Sequence, residues 1–217
     1  MTHSKRYWAE FFGTAALLAI VTGSGHMGQT LSAGNDAVAL LGNSIATGAG
    51  LYVLIGLLGP LSGAHFNPVV SLMFWWTRQL STRDLLVYLV VQFGGAILGV
   101  LLIHLIFDLS ILQWSGKLRS GLPMVMSEFV STLVLLLVIW LGVCQRNDRV
   151  PLYVALTVTA GYWFTSSTFF ANPAVALARS LTGTFVGIAA KDVPGFWLGQ
   201  IGALLLVCWL LRHDRSR

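Results

Sequence analysis

The chain has 217 residues, 56% of them apolar and 10% charged, and its mean hydropathy is +0.77. A soluble domain carries about a quarter charged residues, so the composition excludes one and indicates an integral membrane protein. The net charge of +5 is scattered over segment ends, which speaks for membrane topology and against a nucleic-acid partner.

Apolar segments fall at roughly 7–27, 39–59, 85–107, 122–143, 150–170 and 194–211. Each approaches the roughly 20 residues that a membrane helix needs. The first follows Lys5 and Arg6 and has the form of a signal peptide, but it has a partner in the second half and is read as a span. After the second segment stands Gly63-Ala64-His65-Phe66-Asn67-Pro68-Val69, and after the fifth Phe169-Phe170-Ala171-Asn172-Pro173-Ala174. Pro at a first helical position has no N–H to lose, and Asn before it is a strong N-cap. Each pair therefore starts a short helix, from Val69 to about Trp76 and from Ala174 to about Leu181. Neither spans a membrane. Both begin inside the apolar layer, where irregular backbone is tolerated only around a cavity or within protein.

The halves repeat. Glu10-Phe11-Phe12-Gly13-Thr14 matches Glu128-Phe129-Val130-Ser131-Thr132, Asn67-Pro68 matches Asn172-Pro173, and Gln92-Phe93-Gly94-Gly95-Ala96 matches Gln200-Ile201-Gly202-Ala203. Three spans per half is an odd number, so the second copy is inverted relative to the first. The expected fold is an all-α membrane protein of six spanning helices and two half-helices in an inverted 3+3 repeat. It forms one channel domain over 1–217, with repeats at about 6–110 and 120–212. Small residues at Gly95/Gly99 and Gly195/Gly199/Ala203 permit close helix approach, although such spacings also arise by chance among 23 glycines.

With the N-terminus cytoplasmic, Lys5, Arg6, Arg78, Arg83, Arg146, Arg149, Arg212, Arg215 and Arg217 lie inside, and Lys117, Arg119, Arg179 and Lys191 outside. This asymmetry favours both termini inside. Trp8, Trp75, Trp76, Trp114 and Trp197 near span ends suit an interfacial belt.

Asn67 and Asn172 are the leading functional candidates. As caps they use the side-chain oxygen, which leaves the amide NH₂ to donate into a pore. Glu10 and Glu128 are carboxylates inside spans. They either hold the half-helix loops by accepting hydrogen bonds, the favoured role, or relay protons. His65 either lines the vestibule, the favoured reading, or packs to hold its loop. Cys144 and Cys208 read as free thiols. No zinc spacing, catalytic constellation or phosphate-cradling motif occurs, so no enzyme activity, catalytic residue, metal or cofactor is expected.

At these residues the chain resembles the aquaporin (major intrinsic protein) family, over nearly its whole length: Ser-Gly-Ala-His-Phe-Asn-Pro at 62–68, Asn-Pro-Ala at 172–174 and the two Glu-x-x-x-Thr starts. The resemblance implies a pore in each protomer, a homotetramer in the lipid bilayer, and Asn67 and Asn172 as pore asparagines. It also implies exclusion of protons and cations by the half-helix dipoles. The motif residues are Pro68, Val69, Pro173 and Ala174, with Val69 where the family has Ala. Most members carry Arg directly after the second motif, where this chain has Val175. Arg179, one turn further, is not assumed to replace it. Counted from the motifs, the selectivity-filter positions are Thr47, Ala160 (or Gly161), Phe169 and Val175. Such a ring is wide and poor in donors, which suits small neutral solutes such as polyols or neutral weak acids. Asn-Pro-Val with a filter lacking Arg also resembles aquaporin-type channels found beside bacterial arsenic-resistance genes. That implies the bacterial inner membrane, and arsenite or methylated arsenicals as solutes. The competing expectations are a water-selective channel, a proton-coupled transporter working through Glu10 or Glu128, and a non-conducting member.

Overall fold

The computed structural model describes residues 3–214. Arg215 and Arg217, two of the basic residues counted for topology, lie outside the described residues, as does the side chain of His213. The helices are α1 His3–Leu31, α2 Asp36–Ser62, α3 Pro68–Trp76, α4 Thr82–Ile106, α5 Leu122–Cys144, α6 Val150–Phe164, α7 Pro173–Arg179 and α8 Val193–Asp214. Among the described residues there is no strand. Long apolar runs make five of these helices able to cross a membrane by length and composition, while α6 has 15 residues.

The helix boundaries follow local chemistry. Asn35 caps α2 by accepting from Ala37 and Val38 N–H, and Ser81 caps α4 by accepting from Asp84 N–H. Pro123 and Pro151 occupy the first turns of α5 and α6, where no intrahelical donor is lost. Gly63 ends α2 at φ 90°, a conformation that glycine adopts without penalty.

The fifth apolar segment was expected to continue helically to residue 170, but its helix stops at Phe164. The Thr165 hydroxyl donates to Gly161 O at 2.7 Å and accepts from Phe169 N–H at 3.0 Å. That turn replaces the next helical bonds and releases residues 165–172 as irregular chain.

α1 packs on α2 and α4, and α5 packs on α6 and α8 in the same order. α2 meets α6 across the two halves, while α3 also packs on α8 and α7 on α4. Each half-helix is therefore held by both repeats. Close approach decides the long crossings. A Cβ on Gly99 would collide with the Ala15 carbonyl of α1, and one on Gly199 with the Val125 carbonyl of α5. The small-residue steps at these positions are thus helix contacts. His3 and Arg6 reach Asp84 at the start of α4, and Leu211 and Arg212 lie beside Trp76–Arg78 just before it, so α1 begins and α8 ends at one face, called here the terminal face. The loops 107–121 and 180–192 close the opposite face.

Candidate pore

The two Asn-Pro turns are built alike. Asn67 accepts from Val69 N–H at 3.0 Å, and Asn172 from Ala174 and Val175 N–H at 3.0 and 3.3 Å. These bonds satisfy donors that would otherwise be orphaned at the starts of α3 and α7. The preceding turns bend through positive φ at Ala64 (49°) and Phe66 (49°), and again at Phe169 (56°) and Ala171 (48°). Left-handed backbone at non-glycine residues is costly and persists only where the surroundings fix it.

The fully buried carboxylates supply that fixation. Glu10 accepts from Ser62 Oγ (2.7 Å), His65 N–H (2.9 Å), Phe66 N–H (2.7 Å) and Gln92 Nε2 (2.9 Å). Glu128 accepts from Phe170 N–H (3.1 Å), Ala171 N–H (2.9 Å) and Gln200 Nε2 (2.5 Å). Each carboxylate therefore gathers the backbone N–H groups of the loop in its own half that have no helical partner, and Gln92 and Gln200 occupy matching places.

The asparagine amides are less free than expected. Asn67 Nδ2 donates to Ala171 O, and Asn172 Nδ2 to Phe66 O, each at 2.8 Å. One N–H of each amide is spent on the other half, because the two turns abut and their carbonyls need donors. The remaining N–H of each is left for the cavity that both residues line.

That cavity, about 120 Å³, is lined by both turns and by α1, α2, α3, α5, α6 and α7. Much of its wall is apolar: Leu17, Val21, Leu51, Leu135, Val154 and Val158. Thr47, Phe169 and Val175 line it. Ala160 does not; it is exposed on the outward face of α6. In a helix of 3.6 residues per turn, Val158 and Tyr162 share the inward face while Ala160 points away. Gly161 is covered by the Phe169 ring. The α6 residue opposite Thr47 is Tyr162, whose hydroxyl lies 3.2 Å from Thr47 Oγ1. Sequence reasoning missed Tyr162, although its i+4 relation to Val158 was readable. His65 both lines the cavity and packs. Its Nδ1 is 3.0 Å from Ser71 Oγ, and its ring stacks on Phe74 at 4.7 Å. Pro68, Val69, Pro173 and Ala174 are buried beneath the turns. Trp197 is half-buried, and its Nε1 donates to Pro173 O at 3.1 Å.

The role of Arg179, left open by the sequence, takes shape here. Arg179 is 2% exposed and lines the cavity. It stands four residues after Val175 and so on the same face of α7. Its Nε donates to Val186 O at 2.6 Å. Arg119 is buried nearby, donating to Gly187 O at 3.0 Å and Ser167 O at 3.2 Å. No group of three or more metal-ligating side chains occurs among the described residues.

The chain is similar to known channels over its whole length. It is 50% identical to Aquaglyceroporin AqpS of Rhizobium meliloti (strain 1021), covering 98% of this chain and 92% of that protein. It is 30% identical to human Aquaporin-2, covering 93% and 76%. It is 25% identical to the Glycerol uptake facilitator protein of Bacillus subtilis (strain 168), covering 92% and 80%. The X-ray structure of the aquaglyceroporin from Plasmodium falciparum superposes with a TM-score of 0.75 at 20% identity, over 96% of this chain and 95% of that one, which speaks for the fold. The model of the Major intrinsic protein family matches residues 1–210. Doubled Asn-Pro turns, inverted halves and full-length similarity agree, and the chain belongs to the major intrinsic protein family.

Proposed function

We propose that this chain is a passive pore for small uncharged solutes of glycerol type, with some water. A membrane channel, not an enzyme, is what the family membership carries. The observation that carries the solute reading is Val175 in the first turn of α7. It places an apolar side chain on the cavity wall beside Asn172. Val158 and Val21 line the same cavity and likewise offer no donor to a solute's hydroxyls. A passing solute is then handed to the spare N–H donors of Asn67 and Asn172. In this reading Thr47, Tyr162, Phe169 and Val175 set the constriction.

Neutral arsenous acid and the trivalent methylated arsenicals fit the same chemistry, being small, uncharged at neutral pH and bearing hydroxyls that accept hydrogen bonds. The pore belongs to a homotetramer in a bacterial inner membrane, with the terminal face cytoplasmic. A second reading, water selectivity, is favoured by Arg179 in the cavity wall and by the Tyr162–Thr47 contact, both of which narrow the opposite mouth. Glycerol entry into proteoliposomes separates the two readings: a water-selective pore excludes it. Native mass spectrometry in detergent tests the tetramer.

A further inference from the structure

We propose that Arg179 is the specificity-determining cation of this pore, a donor platform that screens solutes at the opposite mouth before they reach the asparagines. The inference rests on the solute-pore reading above.

A guanidinium buried to 2% exposure needs compensation, because removing charge from water is expensive. Among the described residues no Asp or Glu lies within ion-pair distance of Arg179; the ion pairs found there all involve Asp84. What the protein supplies is one carbonyl, Val186 O on Nε, and the face of Phe170, whose centroid lies 3.4 Å from the guanidinium carbon. The Nη1 and Nη2 donors have no protein acceptor among the described residues, and Arg179 lines the cavity. The contents of the cavity must be their partner. Water or a solute oxygen completes the hydrogen bonding of this side chain.

The placement is built. Phe170 carries the Arg119 guanidinium at 5.3 Å as well, and Arg119 is fixed by Gly187 O, Ser167 O and the Asp192 carboxylate on its backbone N–H. Ile188 N–H donates back to Arg179 O at 3.2 Å. Four residues along a helix is about 6 Å, so a solute entering from this face meets Arg179 about one turn before Val175. The cation repels cations and protons, and its fork of donors favours solutes with two neighbouring acceptor oxygens. The apolar wall at Val175 then gives width without competing donors.

The test compares wild type, Arg179→Gln and Arg179→Lys in proteoliposomes, after size-exclusion and thermal-melt checks. Water and glycerol permeability are read by light scattering, and proton leak by an entrapped pH dye under an imposed potential. Arg179→Gln should change the glycerol-to-water ratio about threefold or more and open a proton leak, while Arg179→Lys should stay proton-tight. A folded Arg179→Gln with the wild-type ratio and a tight seal overturns the proposal. Should Arg179→Gln not fold, wild type is treated with butanedione, a small uncharged arginine reagent, and read by peptide mass spectrometry. Arg179 should be modified and glycerol should protect it; absence of modification, or of protection, overturns the proposal. A wild type that passes water but no glycerol fails the solute-pore reading, while the proton-leak arm still decides on Arg179.

Discussion

Asn67 donates to the carbonyl of Ala171, the residue before Asn172, and Asn172 donates to the carbonyl of Phe66, the residue before Asn67, each at 2.8 Å. Two helix N-termini facing each other bring like partial charges together. The crossed pair places two carbonyl oxygens between them and ties the halves at the middle of the pore. Phe66 and Ala171 accept these bonds from left-handed backbone, so the strain at each turn is held by the other half.

Replacing Asn172 tests this arrangement. Asn172→Ala loses the cap and the crossed bond, at about 1 kcal/mol each, and lowers the melting midpoint in detergent. Asn172→Ser keeps a capping oxygen and loses only the crossed donor, so its midpoint falls between wild type and Asn172→Ala. Equal midpoints for the two variants would contradict the separate contribution of the crossed bond.

Glu10 is held by four donors. Glu10→Gln replaces one acceptor oxygen by a donor facing other donors, which costs on the order of 1–3 kcal/mol and reduces folded yield. Solute flux through wild type should be indifferent to an imposed pH gradient. Uptake that stops when the gradient is collapsed would restore the proton-coupled reading of Glu10 or Glu128.

Val175→Arg adds a second guanidinium one turn below Arg179. It should reduce glycerol permeability by about tenfold or more while largely sparing water, as expected when a bulky donor fills an apolar constriction. Unchanged glycerol entry in the folded variant would place the constriction elsewhere.

Gly99→Leu drives a side chain into the α1 backbone at Ala15. Overpacking of this kind costs about 1–3 kcal/mol or more, so the variant should melt earlier than Gly42→Leu, where a Cβ meets nothing within 4 Å. Comparable melting midpoints would argue against a backbone contact at Gly99.

Lys117 Nζ donates to Phe185 O at 2.8 Å and sits over the Phe185 ring. Desolvation, and then the charges of Arg119 and Arg179, push its pKa down from 10.5 to about 8. Between these values the unfolded chain binds the proton and the folded one does not, so stability rises with pH across that window. Carbon-13 NMR of labelled lysine should give a midpoint near 8 for this residue, and Arg119→Gln should raise it. A midpoint at the ordinary lysine value would contradict the crowding of cations at this face.

The inverted repeat, the half-helix starts and the buried glutamates were legible because each needs only a local rule: Asn before Pro caps a helix, and an odd number of spans inverts its copy. The end of α6 was hidden because residues 165–170 are apolar enough to pass for helix, and only the Thr165 hydroxyl bonds reveal the turn. Ala160 was misplaced for a related reason. Counting back from the Asn172 motif crosses that turn, whereas Tyr162 follows from the helical period counted from Val158. Arg179 was visible at i+4 from Val175, but nothing local said that no carboxylate would claim it. The crossed asparagine bonds join residues more than 100 positions apart and had no signature in either half alone.

The central claim, a pore wide enough for glycerol, is tested most directly by stopped-flow light scattering on proteoliposomes challenged in parallel with an impermeant osmolyte and with glycerol. The account predicts shrinkage in both, followed in glycerol by fast re-swelling that protein-free liposomes lack. Fast water flux with no glycerol re-swelling would contradict it and leave the narrow, water-selective pore.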